Sequence, residues 1–372
     1  MLGGAVVDDG VVRFVGLWGL EDPPRDGVRE AVAEAAAAGI RTVMITGDNA
    51  RTAVAIAEEV GIDASEVVTG AQLDQMTAAE LEDSVRLVSV FARVAPEHKI
   101  ALCQALQAQG HVVAMSGDGV NDAPALKAAH VGVAMGLRGT EVAREAAAIV
   151  LADDHYATIV RAVREGRRLH DNIRKFVLFL LRANFDELLL ILTAVAFHLP
   201  LPYLAIHILW INLMTDGLPA LALGTEPAEP DVMKRPPRPA NQGLLVGEWP
   251  RLLGMSGLAF AAVLGWFLWS LNTGAELDHV RATTLTLTIE IELLMAMSAR
   301  SRLPLWRIGF FGNRWLLASF AVVLVLHLLL LYTPLAVAFH LTSITFGDWA
   351  AVSALALAVF VAFEGIKAWT TR

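Results

Sequence analysis

The apolar residues divide the chain into two parts with different patterns. Up to about residue 170, short apolar runs alternate with charged and glycine-punctuated stretches, as in a soluble domain. From about Ile173 onward, long apolar runs dominate. Short interrupted runs are typical of globular elements, whereas long uninterrupted ones are typical of membrane spans. We therefore predict a cytoplasmic domain over residues 1–160 and a membrane domain over residues 161–372.

The first part alternates predicted strands with predicted helices. Short apolar runs predict buried strands at Val11–Leu17, Arg41–Thr46, His111–Ser116, Val131–Met135 and Ile149–Leu151. Amphipathic, alanine-rich stretches predict helices at Asp26–Ala38, Ala50–Val60, Glu97–Gln109 and Asp122–Ala129. Gly39 and Gly110 stand where glycines at helix C-termini are expected. The alternation predicts an α/β fold with a Rossmann-like parallel sheet, whose chemistry lies at the carboxyl ends of the strands.

The second part contains six apolar segments of membrane-spanning length. A bilayer core of about 30 Å requires about 20 apolar residues per helix. The segments are about Ile173–His198, Leu204–Leu223, Leu252–Leu271, Ala282–Ser301, Trp315–Tyr332 and Trp349–Trp369. The basic residues lie in the loops and ends on one side of the membrane. The three loops on the other side contain a single basic residue, Arg281. Since cytoplasmic loops carry the excess of Lys and Arg, the pattern predicts an all-α bundle of six spans with both ends cytoplasmic.

The composition narrows the function classes. Hydrophobic residues make up 55% of the chain, above the 45–50% or so of soluble domains. The formal net charge of −9 argues against nucleic acid as a partner. The single cysteine, Cys103, excludes an internal disulfide and a cysteine pair for a soft metal. The first residues show no basic segment followed by an apolar one, so we expect no signal peptide.

Three polar groups stand at or near the ends of predicted strands in the first part. They are Thr46-Gly47-Asp48, the segment Gly117–Asp122 with sequence GDGVND, and Lys99. Two carboxylates four residues apart, Asp118 and Asp122, suit Mg²⁺, which takes one or two carboxylates together with phosphate oxygens and water. A threonine hydroxyl and a lysine ammonium supply donors to a transferring phosphoryl group. Singly, each element is more often an ordinary turn or a solvated lysine; together, in this order, they predict phosphoryl-transfer chemistry.

The same stretches carry a family resemblance. DPPRDGV from Asp22, AGIRTVMITGDN, VFARVAPEHK, MSGDGVNDAPALKAAHVGVAMG and GTEVAREAAAIVL resemble the phosphorylation domain of P-type ATPases, which has a haloacid-dehalogenase-like fold. The resemblance implies a role for Mg²⁺ and ATP. It implies that Asp118 holds Mg²⁺, that Asn121 and Asp122 organise that site, that Thr46, Gly47 and Asp48 contact the phosphoryl group, that Lys99 neutralises it, and that Asp22 and Arg25 line the nucleotide side.

Three motifs of that family do not occur in these 372 residues. They are DKTGT, which carries the phosphorylated aspartate, TGES of the actuator domain, and a PEGLP-like span. An acyl-phosphate route requires a carboxylate nucleophile, so we expect the chain alone not to form the phosphoenzyme. We expect these motifs to lie N-terminal to Met1 in a full pump. A truncated sequence, a split pump with a separate N-terminal half, and a catalytically inactive remnant all fit.

The predicted spans contain oxygen-bearing side chains, which are costly in a membrane and usually functional. They are Asn184, Asp186 and Glu187 in the first span, Asn212, Thr215 and Asp216 in the second, and Glu290 and Glu292 in the fourth. Gly217 and Pro219 are expected to loosen the second helix. Carboxylate, amide and hydroxyl oxygens are the ligands that Ca²⁺ prefers. The alternative is that a membrane Asn or Thr only bonds a neighbouring helix.

The membrane part also resembles a family, through NFDELLLIL, LWINLMTDGLPALALGTEPAEPDVMKRPPRP and TIE. These are similar to spans five, six and eight of sarcoplasmic-reticulum-type calcium pumps. The resemblance implies one calcium site of Asn184, Glu187, Thr215, Asp216 and Glu290, and a second to which Asn212 and Asp216 contribute. Asp186 and Glu292 are expected to face elsewhere and to pair with Arg182 or the backbone. The implied function is ATP-driven calcium export, with Mn²⁺ or Na⁺ as alternative ions. The arginine- and alanine-rich composition indicates a bacterial source, and so a plasma membrane.

Overall fold

The computed structural model describes residues 2–18, 23–239 and 242–370. The chain forms two compact units. Unit 1 comprises Met1–Arg164 and Asp231–Ala240, and unit 2 comprises Glu165–Pro230 and Asn241–Arg372. The predicted Asp22 lies outside the described residues.

Unit 1 contains short strands and helices in alternation. Its strands are β1 Leu2–Asp8, β2 Val11–Trp18, β3 Met44–Ile45, β4 Val67–Thr69, β5 Val90–Ala92, β6 Ala114–Gly117, β7 Val131–Met135 and β8 Ile149–Leu151. Its helices are α1 Val28–Ala37, α2 Ala50–Val60, α3 Gly70–Leu73, α4 Ala78–Leu87, α5 Pro96–Ala108, α6 Ala123–Ala128 and α7 Glu141–Ala146. The four predicted helices are confirmed. Gly39 and Gly110 have φ of 71° and 83°, as expected of glycines that end helices.

The strands after β2 form two parallel sheets of three. Their orders are β3-β5-β4 and β6-β7-β8, and every pairing within them is parallel. Ile45 of β3 packs against the apolar cluster that contains Met115 of β6, Ala125 and Leu126. Because Ile45 is the last residue of β3, this packing places the end of that strand beside the second sheet.

The prediction that Val11–Leu17 is a buried strand is wrong. These residues form an antiparallel hairpin with β1, joined by Asp9 and Gly10, both at positive φ, as two-residue hairpin turns require. Val12 and Phe14 of β2 are 69% and 65% exposed. The run VVRFVGLW is apolar on both faces of the strand. It therefore resembles a strand from the middle of a sheet, although within the described residues β1 is its only strand partner.

Unit 2 is helical. Its elements are the C-terminal portion of α8 Tyr156–Ala196, then α9 Ala205–Ile211, a π-helical segment Asn212–Gly217, α10 Leu218–Leu223, α11 Trp249–Asn272, α12 Leu277–Ala299, α13 Leu305–Ile308, α14 Arg314–Tyr332, α15 Leu335–Ala338 and α16 Phe346–Thr370. The π-helical segment ends at Gly217, two residues before Pro219, where we expected a loosened helix. It widens the turn that carries Thr215 and Asp216.

Five helical stretches of the described residues are long and apolar enough to cross a membrane. They are Ala205–Leu223, Trp249–Asn272, Leu277–Ala299, Arg314–Tyr332 and Phe346–Trp369. The sixth predicted span, within α8, is too highly charged to join them, because Arg182, Asp186 and Glu187 lie in its middle. The count of six is therefore one more than composition alone supports.

Helix α12 is the central helix of unit 2. Its apolar window is 83% buried, against 28–44% for the other four stretches. Leu287, Ile291 and Met295 pack with residues of α8, α11 and α16, and Leu285 and Ile289 pack on the other side with Val323 and Leu330 of α14. A helix enclosed in this way buries most of its own polar residues, among them Thr284, Thr286 and Glu292.

Candidate phosphoryl and cation sites

The first candidate site begins at the loop that leaves β3. The amide of Thr46 donates to the carbonyl of Phe91 at 2.9 Å, and the amide of Val94 donates to the carbonyl of Thr46 at 3.1 Å. The Asp48 amide donates to the Thr46 hydroxyl at 3.1 Å. The next residue, Asn49, caps α2 by accepting from the amide of Thr52. The loop is thus fixed from both sides, with the Asp48 side chain exposed.

The second part of this site is the loop after β6. One carboxylate oxygen of Asp122 accepts from the amides of Asp118 and Gly119, both at 3.1 Å. The other accepts from Lys99 Nζ at 2.5 Å. The backbone can fold this tightly because residue 117 is glycine: a Cβ there would lie 2.5 Å from the Cβ of Asp122. Asp122 is buried, with 6% of its surface exposed.

Two opposing effects act on the Asp122 carboxyl. Burial raises its pKa, because desolvation penalises the charged form. The hydrogen bond and charge of Lys99, with the two backbone amides, outweigh this, and the net pKa is lowered. Asp122 is therefore a carboxylate that holds Lys99 and the 117–119 loop in place.

The structure joins some of the predicted phosphoryl-site residues and not others. Hydrogen bonds connect Lys99, Asp122 and the backbone of Asp118, and others connect Thr46 with Asp48. Among the described residues, no hydrogen bond links these two groups. Arg25 donates to the carbonyl of Asp154 at 2.5 Å, so its guanidinium contacts backbone. The predicted roles remain predictions.

The Asp118 and Asn121 side chains fit a hard cation such as Mg²⁺. Both are exposed, and within the described part of the chain neither side chain has a hydrogen-bond partner. An exposed carboxylate at the carboxyl end of a strand, in the loop that the Lys99–Asp122 pair holds, is a suitable ligand for Mg²⁺ with a phosphate. Asp122 fits less well as a direct ligand, since both of its oxygens already accept hydrogen bonds.

The second candidate site lies in unit 2, where α8 meets the π-helical segment. Asn184 Nδ2 donates to Asp216 Oδ2 at 3.3 Å and to the carbonyl of Leu180 at 2.8 Å. Glu187 lies one turn further along α8. Asp216 and Glu187 are only 3% and 5% exposed, and one oxygen of each has no hydrogen-bond partner. Two carboxylates thus lie buried with spare acceptor capacity, which is costly unless a cation or proton compensates.

Thr215 connects this pair of helices to α12. Its hydroxyl contacts the carbonyl of Ile211 at 2.9 Å and Glu292 Oε2 at 2.5 Å. Glu292 is 3% exposed. The expectation that Glu292 faces elsewhere is therefore wrong: it points at the second-span residues. Thr288, one turn before Glu292, lies on the same face of α12, and both residues line one small cavity together with Asp186 and Glu187.

The other predicted cation ligands lie apart from this group. Glu290 is half-buried and accepts from Ser353 of α16 at 2.8 Å. Asn212 is exposed and donates to the carbonyl of Ile208 in its own helix at 2.9 Å. Among the described residues, no three His, Cys, Asp or Glu side chains approach closely enough to hold a metal ion. The oxygen ligands are therefore neighbours without forming a closed cage.

Arg182 adds a positive charge to this region. It is 5% exposed, and its Nε and Nη2 atoms have no hydrogen-bond partner. Its guanidinium lies 5.9 Å from the ring centres of Phe179 and Phe363, within the range of a cation–π contact. Its charge interacts with Asp186, Glu292 and Asp216. The predicted pairing with Asp186 is thus electrostatic, without an ion pair in contact.

Comparison with known families gives one match in each part of the chain. Residues 3–130 match the family of haloacid dehalogenase-like hydrolases. Residues 200–369 match the C-terminal region of cation-transporting ATPases. The order of the two matches is the order of the two candidate sites. The chain belongs to the cation-transporting P-type ATPases.

Individual relatives extend over nearly the whole chain. Calcium-transporting ATPase 1 of Bacillus cereus is 41% identical over 374 residues, covering 95% of this chain and 42% of the relative. The probable cation-transporting ATPase F of Mycobacterium tuberculosis is 44% identical over 362 residues, covering 95% and 40%. P-type sodium-transporting ATPase4 of Toxoplasma gondii is 48% identical over 250 residues, covering 63% and 19%.

The chain thus spans about two fifths of the length of the first two relatives. Its five apolar helices and its relatives identify it as a multi-pass membrane protein of the P-type ATPase family. The parallel sheets agree with the haloacid dehalogenase-like fold that the sequence predicted for the first part.

Proposed function

We propose that this chain is the cation-conducting and magnesium-binding portion of an ATP-driven pump, and that the transported ion is Ca²⁺. One observation carries the proposal. Glu187 and Asp216, on neighbouring helices of the membrane unit, are buried with an unpartnered oxygen each, beside the side chains of Asn184 and Thr215. Oxygen ligands of this kind suit Ca²⁺.

The α8 segment that carries Asn184 and Glu187 would be the first of six spans. Its charged residues set it apart from the five apolar helices. We propose that these same residues serve transport. Ionisable groups within a span are tolerated where they serve transport. The basic loops would then face the cytoplasm of a bacterium, with the spans in its plasma membrane.

In unit 1, Lys99 and Asp122 would hold the loop that presents Asp118. Asp118, with Asn121 beside it, would hold Mg²⁺, which supplies positive charge against phosphoryl oxygens when bound. Thr46 and Asp48 would lie at the same edge, with Arg25 on the nucleotide side. The phosphorylated aspartate would come from a segment outside these 372 residues, in the same polypeptide or in a separate one.

Equilibrium binding tests the membrane part of this proposal. We expect the purified chain in lipid nanodiscs to bind ⁴⁵Ca²⁺, and Glu187→Gln and Asp216→Asn each to weaken binding by about tenfold or more, because each removes a buried anionic ligand. Ser353→Ala is a control, since Ser353 contacts neither residue. Calcium binding that neither variant changes would contradict the proposal.

The choice of ion requires its own measurement. The Bacillus cereus relative is named for calcium and the Toxoplasma gondii relative for sodium, so Mn²⁺ and Na⁺ are the competitors to include. We expect Ca²⁺ to be displaced by Mn²⁺ only at higher concentration, and by Na⁺ not at all below about 100 mM, since a single charge gains roughly half the electrostatic attraction. Displacement by millimolar Na⁺ would indicate a sodium pump.

Phosphorylation tests the soluble part. When the chain is combined with the remaining portion of a pump, we expect calcium-dependent phosphoenzyme, and we expect Asp118→Asn to abolish it. A combined pump that never forms phosphoenzyme, with its partner portion intact, would favour the second candidate function, a non-catalytic membrane protein that retains the fold.

A further inference from the structure

The loop that joins α12 to α14 presents aromatic side chains on its outer surface. It comprises residues 300–313 and contains the short helix α13. The exposed rings of this loop and of the start of α14 are Trp306, Phe310, Phe311 and Trp315, with exposed fractions of 59%, 45%, 82% and 57%. Large apolar side chains gathered on one surface segment indicate contact with a partner or a membrane.

The same segment is basic. No acidic residue occurs between Glu292 and Asp348, and the four arginines of that interval all lie within residues 300–314. Two of them, Arg307 and Arg314, are exposed, and in the described part of the chain neither guanidinium has an ion-pair or hydrogen-bond partner. The Arg314 guanidinium lies 5.3 Å from the ring centre of Trp315, within the range of a cation–π contact. Two positive charges therefore lie among the aromatic rings without a described protein anion beside them.

Buried polar contacts hold the backbone of this loop from the inside. Arg300 is 2% exposed and donates to the carbonyls of Gly309 and Phe310, both at 2.9 Å. It also pairs with Glu226 at 3.0 Å. Asn313 donates to Glu226 Oε2 at 2.8 Å and accepts from two amides at the start of α14. Because these contacts fix the backbone, the loop holds its aromatic rings on the outer surface.

The loop lies at the ends of two apolar helices. Both α12 and α14 are long and apolar enough to cross a membrane, and the second of these stretches begins at Arg314 itself. Tryptophan and arginine concentrate where hydrocarbon meets water. The loop also belongs to the basic side of the bundle, which we assign to the cytoplasm, and anionic lipids give the cytoplasmic leaflet a negative surface potential.

We propose that the α12–α14 loop is a binding surface for anionic phospholipid. Arg307 and Arg314 contact the headgroup phosphate, and the aromatic rings lie at the level of the headgroups and upper acyl chains. The planar guanidinium fork matches phosphate oxygens. A zwitterionic headgroup carries its own positive charge and gains less from two arginines. The inference requires only that unit 2 spans a membrane, so it goes beyond the proposed function and does not depend on which ion is transported.

Native mass spectrometry of the chain in detergent tests the charge requirement. Phosphatidylglycerol and phosphatidylcholine are titrated separately, and the dissociation constant of the first bound lipid is measured for each. We expect Arg307→Gln combined with Arg314→Gln to weaken phosphatidylglycerol binding about tenfold or more, and to change phosphatidylcholine binding less than about twofold. Unchanged phosphatidylglycerol binding, or equal losses for both lipids, would overturn the proposal.

Three controls separate charge, rings and the source of the phosphate. Arg86→Gln removes an exposed arginine of unit 1 and should change neither constant more than about twofold. Phe311→Ser keeps both charges and should weaken both lipids by similar factors, because it removes apolar contact with the acyl region. Soluble glycerol phosphate at millimolar concentration should not displace phosphatidylglycerol. Displacement by glycerol phosphate would mean an anion site independent of the membrane, and full lipid binding in Phe311→Ser would mean that the rings do not enter it; either result would overturn the proposal.

Hydrogen exchange on the unsubstituted chain covers the case in which the double variant does not fold. The chain is compared in nanodiscs of phosphatidylcholine alone and in nanodiscs with about one third phosphatidylglycerol. We expect the anionic lipid to slow exchange of residues 301–313 about fivefold. Residues 333–345, at the opposite end of α14, meet the same lipid and should not change. Equal exchange of residues 301–313 in both nanodiscs, or equal slowing of the two segments, would overturn the proposal.

Discussion

The hydroxyl of Thr215 lies 2.5 Å from a carboxylate oxygen of Glu292, across the boundary between two helices of the membrane unit. Residues 215 and 292 are 77 positions apart in the sequence. The hydroxyl also contacts the carbonyl of Ile211 in its own helix. The π-helical turn that contains Thr215 therefore holds an acidic side chain of α12 in a fixed orientation.

Removal of that hydroxyl should weaken cation binding. Thr215→Val keeps the shape of the side chain and deletes the donor, so Glu292 loses its orienting hydrogen bond. A hydrogen bond to a charged group contributes about 1.5–3 kcal/mol, and we expect roughly a tenfold loss of calcium affinity, measured by ⁴⁵Ca²⁺ binding. Thr215→Ser is the matched control and should stay within about twofold. An equal loss in both variants would show that packing of the methyl group matters and the hydroxyl does not.

Sequence could predict that α12 carries functional acids, but not which one faces the site. The choice between residues 290 and 292 depends on the rotation of the helix about its axis. Rotation is normally read from the contrast between an apolar and a polar face. With 83% of its apolar window buried, α12 is enclosed on most sides and buries polar residues as well as apolar ones, so that contrast is lost. The position of Thr215 in a π-helical turn was equally unpredictable in detail, although Gly217 and Pro219 indicated a weak point nearby.

The pair Lys99 and Asp122 should stabilise unit 1 locally. Lys99→Met leaves the buried Asp122 carboxylate with two backbone amides as its remaining partners among the described residues. We expect a loss of about 1–3 kcal/mol in the protection of residues 114–128 against hydrogen exchange, measured by mass spectrometry on the chain in nanodiscs.

A surface pair provides the control for Lys99. Arg86 and Asp83 also form an ion pair, at 3.8 Å, but both side chains are well exposed. Exposed pairs contribute little, so Arg86→Met should change protection by less than about 0.5 kcal/mol. If Lys99→Met is as mild as Arg86→Met, Lys99 does not hold the loop, and its role in unit 1 would be limited to contact with phosphate.

The soluble fold was largely predictable, and the exception has a physical explanation. Helices α1, α2, α5 and α6 follow from amphipathic spacing, and the glycines at 39 and 110 end α1 and α5 as predicted. The apolar residues on both faces of strand β2 predict a place in the parallel sheet, where β2 does not lie. The apolar pattern along a strand indicates how much surface the strand could bury, but it does not indicate which strand it pairs with. The turn residues Asp9 and Gly10 were the available signal for a hairpin.

Asp154 should make unit 1 less stable at low pH. Its carboxylate accepts from the amides of Leu137 and Arg138, both at 2.9 Å. Burial raises the pKa of this carboxyl, but the amides and the charge of Arg25 outweigh burial and lower it below its ordinary value of 3.8. A lowered pKa in the folded state means that the stabilisation is complete well above pH 3.8 and is lost as the pH falls through the folded-state value.

The variant Asp154→Asn isolates this contribution. At pH 7 we expect the unsubstituted chain to melt at a higher temperature than Asp154→Asn, and the difference to shrink as the pH falls below about 4. Asp83→Asn, on an exposed carboxylate, is the control and should show a small difference at both pH values. A difference for Asp154→Asn that does not depend on pH would show that the shape of the side chain stabilises the loop, and its charge does not.

Arg182 should limit the affinity of the membrane site for cations. It places a fixed positive charge among Asp186, Asp216 and Glu292, where it repels an entering ion. Arg182→Met keeps much of the apolar contact with Phe179 and Phe363 and removes the charge, so we expect calcium affinity to rise by about an order of magnitude. Arg182→Lys keeps the charge and should leave affinity within about threefold. The measurement is ⁴⁵Ca²⁺ binding in nanodiscs at constant ionic strength, after size-exclusion chromatography has shown that each variant is folded. Weaker binding in Arg182→Met, with Arg182→Lys unchanged, would mean that the arginine orients the carboxylates and that its charge does not compete with the ion.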